Sequence, residues 1–241
     1  MNDTTISEHR LTLAEVLGMM VDDGLLEAEE ANTLRAERKL HGDRTHPLVV
    51  IAEQKFRNLK LPARLLTLEV LTEWLANRVG LAYLHIDPLK VDFSGVADVM
   101  SSAYAARFTI LPVEINAREV VIATAEPYVR EWEKELVHIL RKEIRRVMAT
   151  PTDIARYLVE FFNLAKSIKK ASLKGNVNAS ISSFEQLVDL GKTNRPLDAN
   201  DQHVVHIVDW LWQYAFDQRA SDIHVEPRRD MGIVRFRIDG V

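Results

Sequence analysis

Apolar residues recur every third or fourth position at the start of this chain and every second position only further along. Leu13, Val16, Leu17, Met20 and Val21 fall at i, i+3, i+4, i+7 and i+8, the one-sided stripe of an amphipathic helix. Thr12 and Glu15 stand at capping-box spacing, where each side chain satisfies an exposed backbone N–H at the helix start. Gly24 breaks the helix after Asp22-Asp23, and a second helix carries Ala28, Ala31 and Leu34 inward among charged residues. The spacing thus predicts a helix pair over 12–40, then a loop over 40–45 containing His41, Gly42 and Asp43. Two further helices are predicted over 47–57 and 67–79, separated by a linker holding Pro62.

From Leu81 the periodicity changes. A short strand over 83–86 closes at Asp87-Pro88, and a helix over 93–107 turns Val96, Val99, Met100 and Ala103 inward. Strands over 110–115 and 119–125 are joined by Asn116-Ala117-Arg118, which reads as a hairpin. A helix over 128–141 and a third strand over 144–149 follow. Thr150-Pro151 then opens another helix, with proline in the first turn where its missing N–H costs nothing. Ile154, Tyr157, Leu158, Phe161 and Phe162 form its expected buried face.

Residues 166–199 are rich in Lys, Ser, Asn and Gly and read as a flexible, mildly basic linker with one short helix over 184–190. A helix over 200–218 puts Val204, Val208, Leu211, Trp212 and Ala215 on one face. That leaves Trp210 at a domain or subunit contact, or partly buried within its own domain. Strands over 222–226 and 233–238 come last, and the strand into a turn at Val234 to Val241 suggests that more protein follows. The fold class is α+β in four segments: a helical segment over 1–62, a small α/β domain over 63–165, the linker over 166–199, and an incomplete helix-plus-antiparallel-strand subdomain over 200–241.

Composition narrows the chemistry. The net charge of −4 over 241 residues argues against a general nucleic-acid binder, which carries a basic field. No cysteine is present, which removes disulfides, zinc–thiolate sites and cysteine catalysis. The start MNDTTISEHR is polar, and no apolar run approaches the ~20 residues of a membrane helix. The reading is a soluble, intracellular chain, linked to a membrane only through a partner or a surface contact. Gly191-Lys192-Thr193 imitates a phosphate-binding loop, but the first glycine of that motif would fall at Gln186, so no nucleotide-hydrolysing motif is expected. His203 and His206 share a helix face with Asp201 and Asp209 nearby, yet no third ligand is indicated, so no metal site is expected. No catalytic set can be assembled. Arg235 and Arg237 alternate with Val234, Phe236 and Ile238, so both guanidiniums leave the same strand face about 7 Å apart. Two such forks suit a phosphate or carboxylate chain, or else pair with acids on a neighbouring strand.

The run RASDIHVEPRRDMGIVRFRIDGV, from Arg219 to Val241, resembles the start of the N-terminal ATPase subdomain in the GspE/PilB family of type II secretion and type IV pilus assembly ATPases. Both of its blocks, R-A-S-D-I-H-V-E-P and R-F-R-I-D-G, occur in order, after an entry helix with Asp209-Trp210-Leu211-Trp212. The stretch 63–165 resembles the small regulatory domain before the ATPase, through Leu111-Pro112-Val113, Ile122-Ala123-Thr124-Ala125-Glu126-Pro127 and Thr150-Pro151-Thr152-Asp153-Ile154. The resemblance implies a docking and regulatory region of a homo-hexameric motor, cytoplasmic and peripheral at the inner membrane, held there by a membrane-anchored platform protein. It implies ATP and Mg in the parent enzyme and no cofactor here. It also implies that Arg235, Arg237 and, less directly, Arg219 reach the nucleotide phosphates in the full-length enzyme.

Some members bind cyclic di-GMP through R-L-G-x-x-L-V-x-x-G-x-I. Aligned on Gly24, this chain has Glu15, Val16 and Leu17 in place of Arg, Leu and Gly, and Met20, Val21 and Leu26 keep only the apolar frame. A carboxylate where the arginine should stand repels an anionic dinucleotide. Cyclic di-GMP sensing is therefore the alternative expectation, with no site residue assigned to it.

Overall fold

In the computed structural model, residues 8–39, 45–61, 63–91, 93–175, 202–227 and 232–238 are described. The Gly191-Lys192-Thr193 run, most of the expected linker and the tip of the 40–45 loop lie outside them. The chain divides into two units, one of residues 1–86 with 103–157 and one of 87–102 with 158–241.

The first unit begins where the capping box says it should. Helix α1 spans Leu13–Asp22, with Thr12 accepting from the Glu15 N–H and the Glu15 carboxylate accepting from the Thr12 N–H. Helix α2, Ala28–Lys39, follows a turn through Gly24 at φ +65°, a left-handed conformation that costs glycine nothing. Helix α3 is Pro47–Glu53, shorter than the expected 47–57. Gln54 caps it, and Lys55 at φ +55° turns the chain out of the helix. Helix α4, Leu68–Val79, is capped by Thr67 and stopped at Gly80.

These four helices share one core. Val16, Leu17 and Met20 of α1 pack with Leu34, Leu48, Ile51, Leu71 and Leu75, all at most 3% exposed. Burial of each such side chain contributes about 1.5–3 kcal/mol. Beside the core, Asp23 at the end of α1 accepts from Trp74 Nε1 at 2.8 Å and pairs with Arg78. The bond from Arg78, then that from Trp74, holds the Asp23 carboxyl below its ordinary range.

The α/β part of this unit is a four-stranded sheet in the order β1-β4-β3-β2. Its strands are β1 Ala82–Tyr83, β2 Ile110–Ile115, β3 Glu119–Thr124 and β4 Glu143–Met148. Strands β2 and β3 form the expected hairpin, because Asn116 Oδ1 accepts from the N–H groups of Arg118 and Glu119 at 2.9 and 2.7 Å. Strand β4 runs parallel to β3, which requires a crossover. That crossover is α5, Glu131–Leu140, opening three residues later than expected, with Trp132 fully buried beneath it. Strand β1 keeps only Tyr83 of the expected 83–86 and starts one residue earlier at Ala82, since beyond Leu84 the chain leaves its partner β4.

Two short helices replace the expected helix over 93–107: α6, Phe93–Val99, and α7, Ser102–Phe108. Thr109, at φ +54°, then turns the chain into β2. Helix α8, Pro151–Gly175, carries the Thr150-Pro151 start past the expected boundary, so residues 166–175 are helical rather than linker. The lysines there occupy a helix that the apolar face of its first half has already nucleated.

The second unit contains α9, Gln202–Asp217, and a hairpin of β5, Ala220–Pro227, with β6, Gly232–Ile238. Of the two tryptophans of α9, Trp210 takes the buried alternative, and Trp212, expected on the inward face, is exposed. Trp210 is 8% exposed, stacks on Tyr214 and donates Nε1–H to Glu160 at 3.1 Å, whereas Trp212 is 55% exposed. The helix has turned its Trp210–Tyr214 side inward, where Tyr214 meets Phe236 edge-on at 5.0 Å. No helix among the described residues is long and apolar enough to cross a membrane.

Candidate functional site

The first unit holds a cavity of about 800 Å³ walled by the start of α1, one side of α2, the start of α3, the end of β3 and the start of α8. Three guanidiniums line it. Arg10, just ahead of the Thr12 cap, donates to the Arg107 carbonyl at 2.8 Å. Arg35 donates from Nη2 to the Ala14 carbonyl at 3.1 Å, while its Nε is buried and meets no acceptor among the described residues. An unmatched buried donor costs about 1–3 kcal/mol, so this arginine is held by its surroundings and would gain from an acceptor. Arg38, one turn further along α2, lies 3.5 Å from Glu53.

The opposite wall is titratable and largely buried. His46 accepts the Leu48 N–H on Nδ1 at 3.2 Å and donates Nε2–H to the Ala125 carbonyl at 3.2 Å. Burial pushes its pKa down to about 4, opposed by the bond to Ala125 and helped by the charge of Arg10. His46 is therefore the neutral Nε2–H tautomer near neutral pH. Glu126 lies 3.8 Å from that nitrogen and accepts the Leu11 N–H at 2.9 Å. Burial raises its carboxyl above the usual range, against the lowering effect of the Leu11 bond. Glu126 thus ties the residues preceding α1 to the end of β3, and so places Arg10 on the cavity rim.

An anion suits this arrangement. Guanidiniums approach from separate elements, and the first turns of α1 and α8 add the positive ends of two helix dipoles. The α8 end is partly answered by its own cap, since Thr150 Oγ1 accepts from the Asp153 N–H at 3.1 Å. No group of three or more metal-ligating side chains occurs among the described residues.

The arginines singled out from the sequence lie elsewhere. Arg235 and Arg237 leave the same face of β6, and each meets an acid on β5: Glu226 at 3.1 Å and Asp222 at 3.3 Å. Arg219 is exposed in the turn after α9, at φ +53°, with its N–H bonded to the Phe216 carbonyl at 3.0 Å. Glu15, the residue standing in the arginine position of the cyclic di-GMP motif, is used by the α1 cap and by His9 at 2.9 Å. Sequence reasoning missed Arg10, Arg35 and Arg38. The one available signal was that Arg35 and Arg38, three apart on a helix, share a face.

The MshEN domain family matches residues 79–168, which includes the β3 and α8 walls of the cavity but not the α1, α2 and α3 walls. The type IV pilus assembly ATPase TfpB of Acinetobacter baylyi is 40% identical over 197 residues, 81% of this chain and 34% of that protein. The type IV pilus assembly ATPase PilB of Myxococcus xanthus is 24% identical over 231 residues, 92% of this chain and 37% of that protein. A solved structure of MshE with cdg is 16% identical, covers 64% of this chain and 100% of that one, and superposes with a TM-score of 0.45. This chain spans about a third of the length of these curated relatives. It belongs to the secretion and type IV pilus assembly ATPase family, as a stretch of the N-terminal region that carries an MshEN domain.

Proposed function

We propose that this chain is the docking and regulatory region of a hexameric pilus or secretion ATPase, coupling ATP hydrolysis in the catalytic core to a platform protein of the inner membrane. The observation that carries the reading is the 40% identity to a pilus assembly ATPase across 81% of this chain. In the parent enzyme ATP and Mg belong to the catalytic core, and Arg235, Arg237 and Arg219 are the residues proposed to reach its phosphates. Their fit is conditional, because Glu226 and Asp222 already hold the two strand arginines. A phosphate chain must displace those carboxylates, which is feasible because exposed ion pairs are worth only about 0–1 kcal/mol. The test compares the full-length ATPase with a form lacking residues 1–165. ATP turnover should persist while pilus or secretion assembly is lost; assembly that survives the deletion would overturn the reading.

A second reading is favoured by the cavity itself. The arginine absent at position 15 is replaced in function by Arg10, Arg35 and Arg38, so a cyclic dinucleotide has cations to meet despite the altered motif. Calorimetric titration with cyclic di-GMP decides it. Binding that is lost in Arg35→Met supports ligand control of the docking region, and absence of heat removes the second reading while leaving the first intact.

A further inference from the structure

Between α3 and α4 the chain carries Lys55, Arg57, Lys60 and Arg64 with no acidic residue from Glu53 to Glu69. The same stretch exposes Leu59, Leu61 and Leu65, by 41%, 54% and 45%. Exposed leucines in a connection between helices are ordinary one at a time; three of them interleaved with cations are not.

The connection is rigidly built. Arg57 and Leu65 form an isolated antiparallel bridge, flanked by Leu66 N–H to Phe56 carbonyl at 2.8 Å and Asn58 N–H to Arg64 carbonyl at 2.9 Å. Asn58, only 6% exposed, closes the tip by accepting the Lys60 and Leu61 N–H groups on Oδ1 at 2.9 and 3.3 Å. Leu59 N–H reaches the Leu25 carbonyl at 3.2 Å and anchors the loop to the turn before α2. These bonds hold the backbone while the three leucines and the four cations stay exposed.

We infer that this loop binds an anionic lipid surface directly. The exposed leucines enter the interfacial layer, and the cations beside them meet lipid phosphates, the combination that holds peripheral proteins on acidic membranes. Charge complementarity favours lipid over a neutral apolar partner. Glu29, Glu30 and Glu37 line a depression with Gln54 and Phe56, and that edge of the loop repels an anionic leaflet. Asp23, whose field reaches Lys60, is already engaged by Arg78 and Trp74. The chain as a whole carries −4, so general adsorption to acidic vesicles is unfavourable and any binding must be local.

Vesicle co-sedimentation tests this, using phosphatidylcholine vesicles with and without phosphatidylglycerol. The chain should partition onto the mixed vesicles, not onto pure phosphatidylcholine, and should be released by high salt. Lys60→Glu with Arg64→Glu should weaken partitioning by roughly tenfold or more. Leu61→Asn should weaken it several-fold at unchanged charge, with circular dichroism confirming that both variants fold. Lack of phosphatidylglycerol-dependent binding by the folded chain, or binding that the charge reversal leaves intact, overturns the inference. So does an outcome in which the same variants abolish capture of a platform protein without lipid while vesicle binding is absent, which would assign the loop to a protein partner.

Discussion

The arginines lining the cavity and those on the β6 strand are built from the same side chain and placed in opposite surroundings. Arg235 and Arg237 are half exposed, each facing a carboxylate across a two-stranded hairpin. Arg10 and Arg35 spend donors on backbone carbonyls, and the Arg35 Nε is sealed off from water without an acceptor. Arg38 stands between the two cases, with Glu53 at 3.5 Å. A strand brings two guanidiniums together by spacing alone, and the neighbouring strand neutralises them by the same regularity. The cavity needs the residues before α1 and one side of α2 in register, so its cations converge on a volume rather than on each other. What an arginine can bind is decided by which acceptors its fold has already supplied.

The largest expected effect tests whether the cavity wall is as buried as its geometry requires. His46 has a folded pKa of about 4 against 6.5 for an ordinary histidine. As pH falls below 6.5 the unfolded chain takes up the proton first, so the His46 contribution is complete above that value and is lost as pH falls toward 4. Linkage puts the loss at roughly 3 kcal/mol across that window. Glu126 acts in the opposite sense: its raised carboxyl lowers stability as pH climbs from the ordinary glutamate value through the folded one. His46→Asn keeps a capping acceptor for the Leu48 N–H and should flatten the acid side of the profile. Urea unfolding at pH 7 and pH 4.5 measures this, and an equal slope in the variant would mean that the wall is open to water.

The same contrast explains what could be read from the sequence. Local patterns carried the elements: the Thr12–Glu15 box opens α1, Asn116 closes the hairpin, and Thr150-Pro151 opens α8. They also carried the strand arginines, because a period of two is visible without a fold. Where tertiary contacts decide, the pattern misled. On α9 the apolar stripe pointed to Trp212, yet Trp210 is the buried one, since its N–H finds Glu160 fifty positions back along the chain. The helix over 47–57 ended early because Lys55 takes a left-handed turn that no residue type there announces. The cavity was illegible for a like reason: Arg10 reaches its rim through the Leu11–Glu126 bond, across 115 positions.

A smaller effect is expected at the cavity edge. Thr109 holds φ +54°, a left-handed conformation that is strained for a β-branched residue. Thr109→Gly should raise stability by about 1 kcal/mol, the relief of strain exceeding the added freedom of the unfolded chain. Thermal unfolding of the variant checks it. A loss instead would show that the Thr109 side chain supports the cavity wall by more than its backbone costs.

The smallest effect belongs to the strand. Arg235 and Glu226 are 59% and 42% exposed, and Arg237 and Asp222 are 50% and 45% exposed, so water screens both pairs. Glu226→Gln and Asp222→Asn should each shift stability by no more than about 0.5 kcal/mol, read by urea unfolding at low and high salt. A weak pair is what the nucleotide reading needs, because carboxylates that cost little to lose are carboxylates a phosphate can replace. A loss several times larger would make the strand pairs structural, and would leave the cavity arginines as the better candidates for meeting an anion.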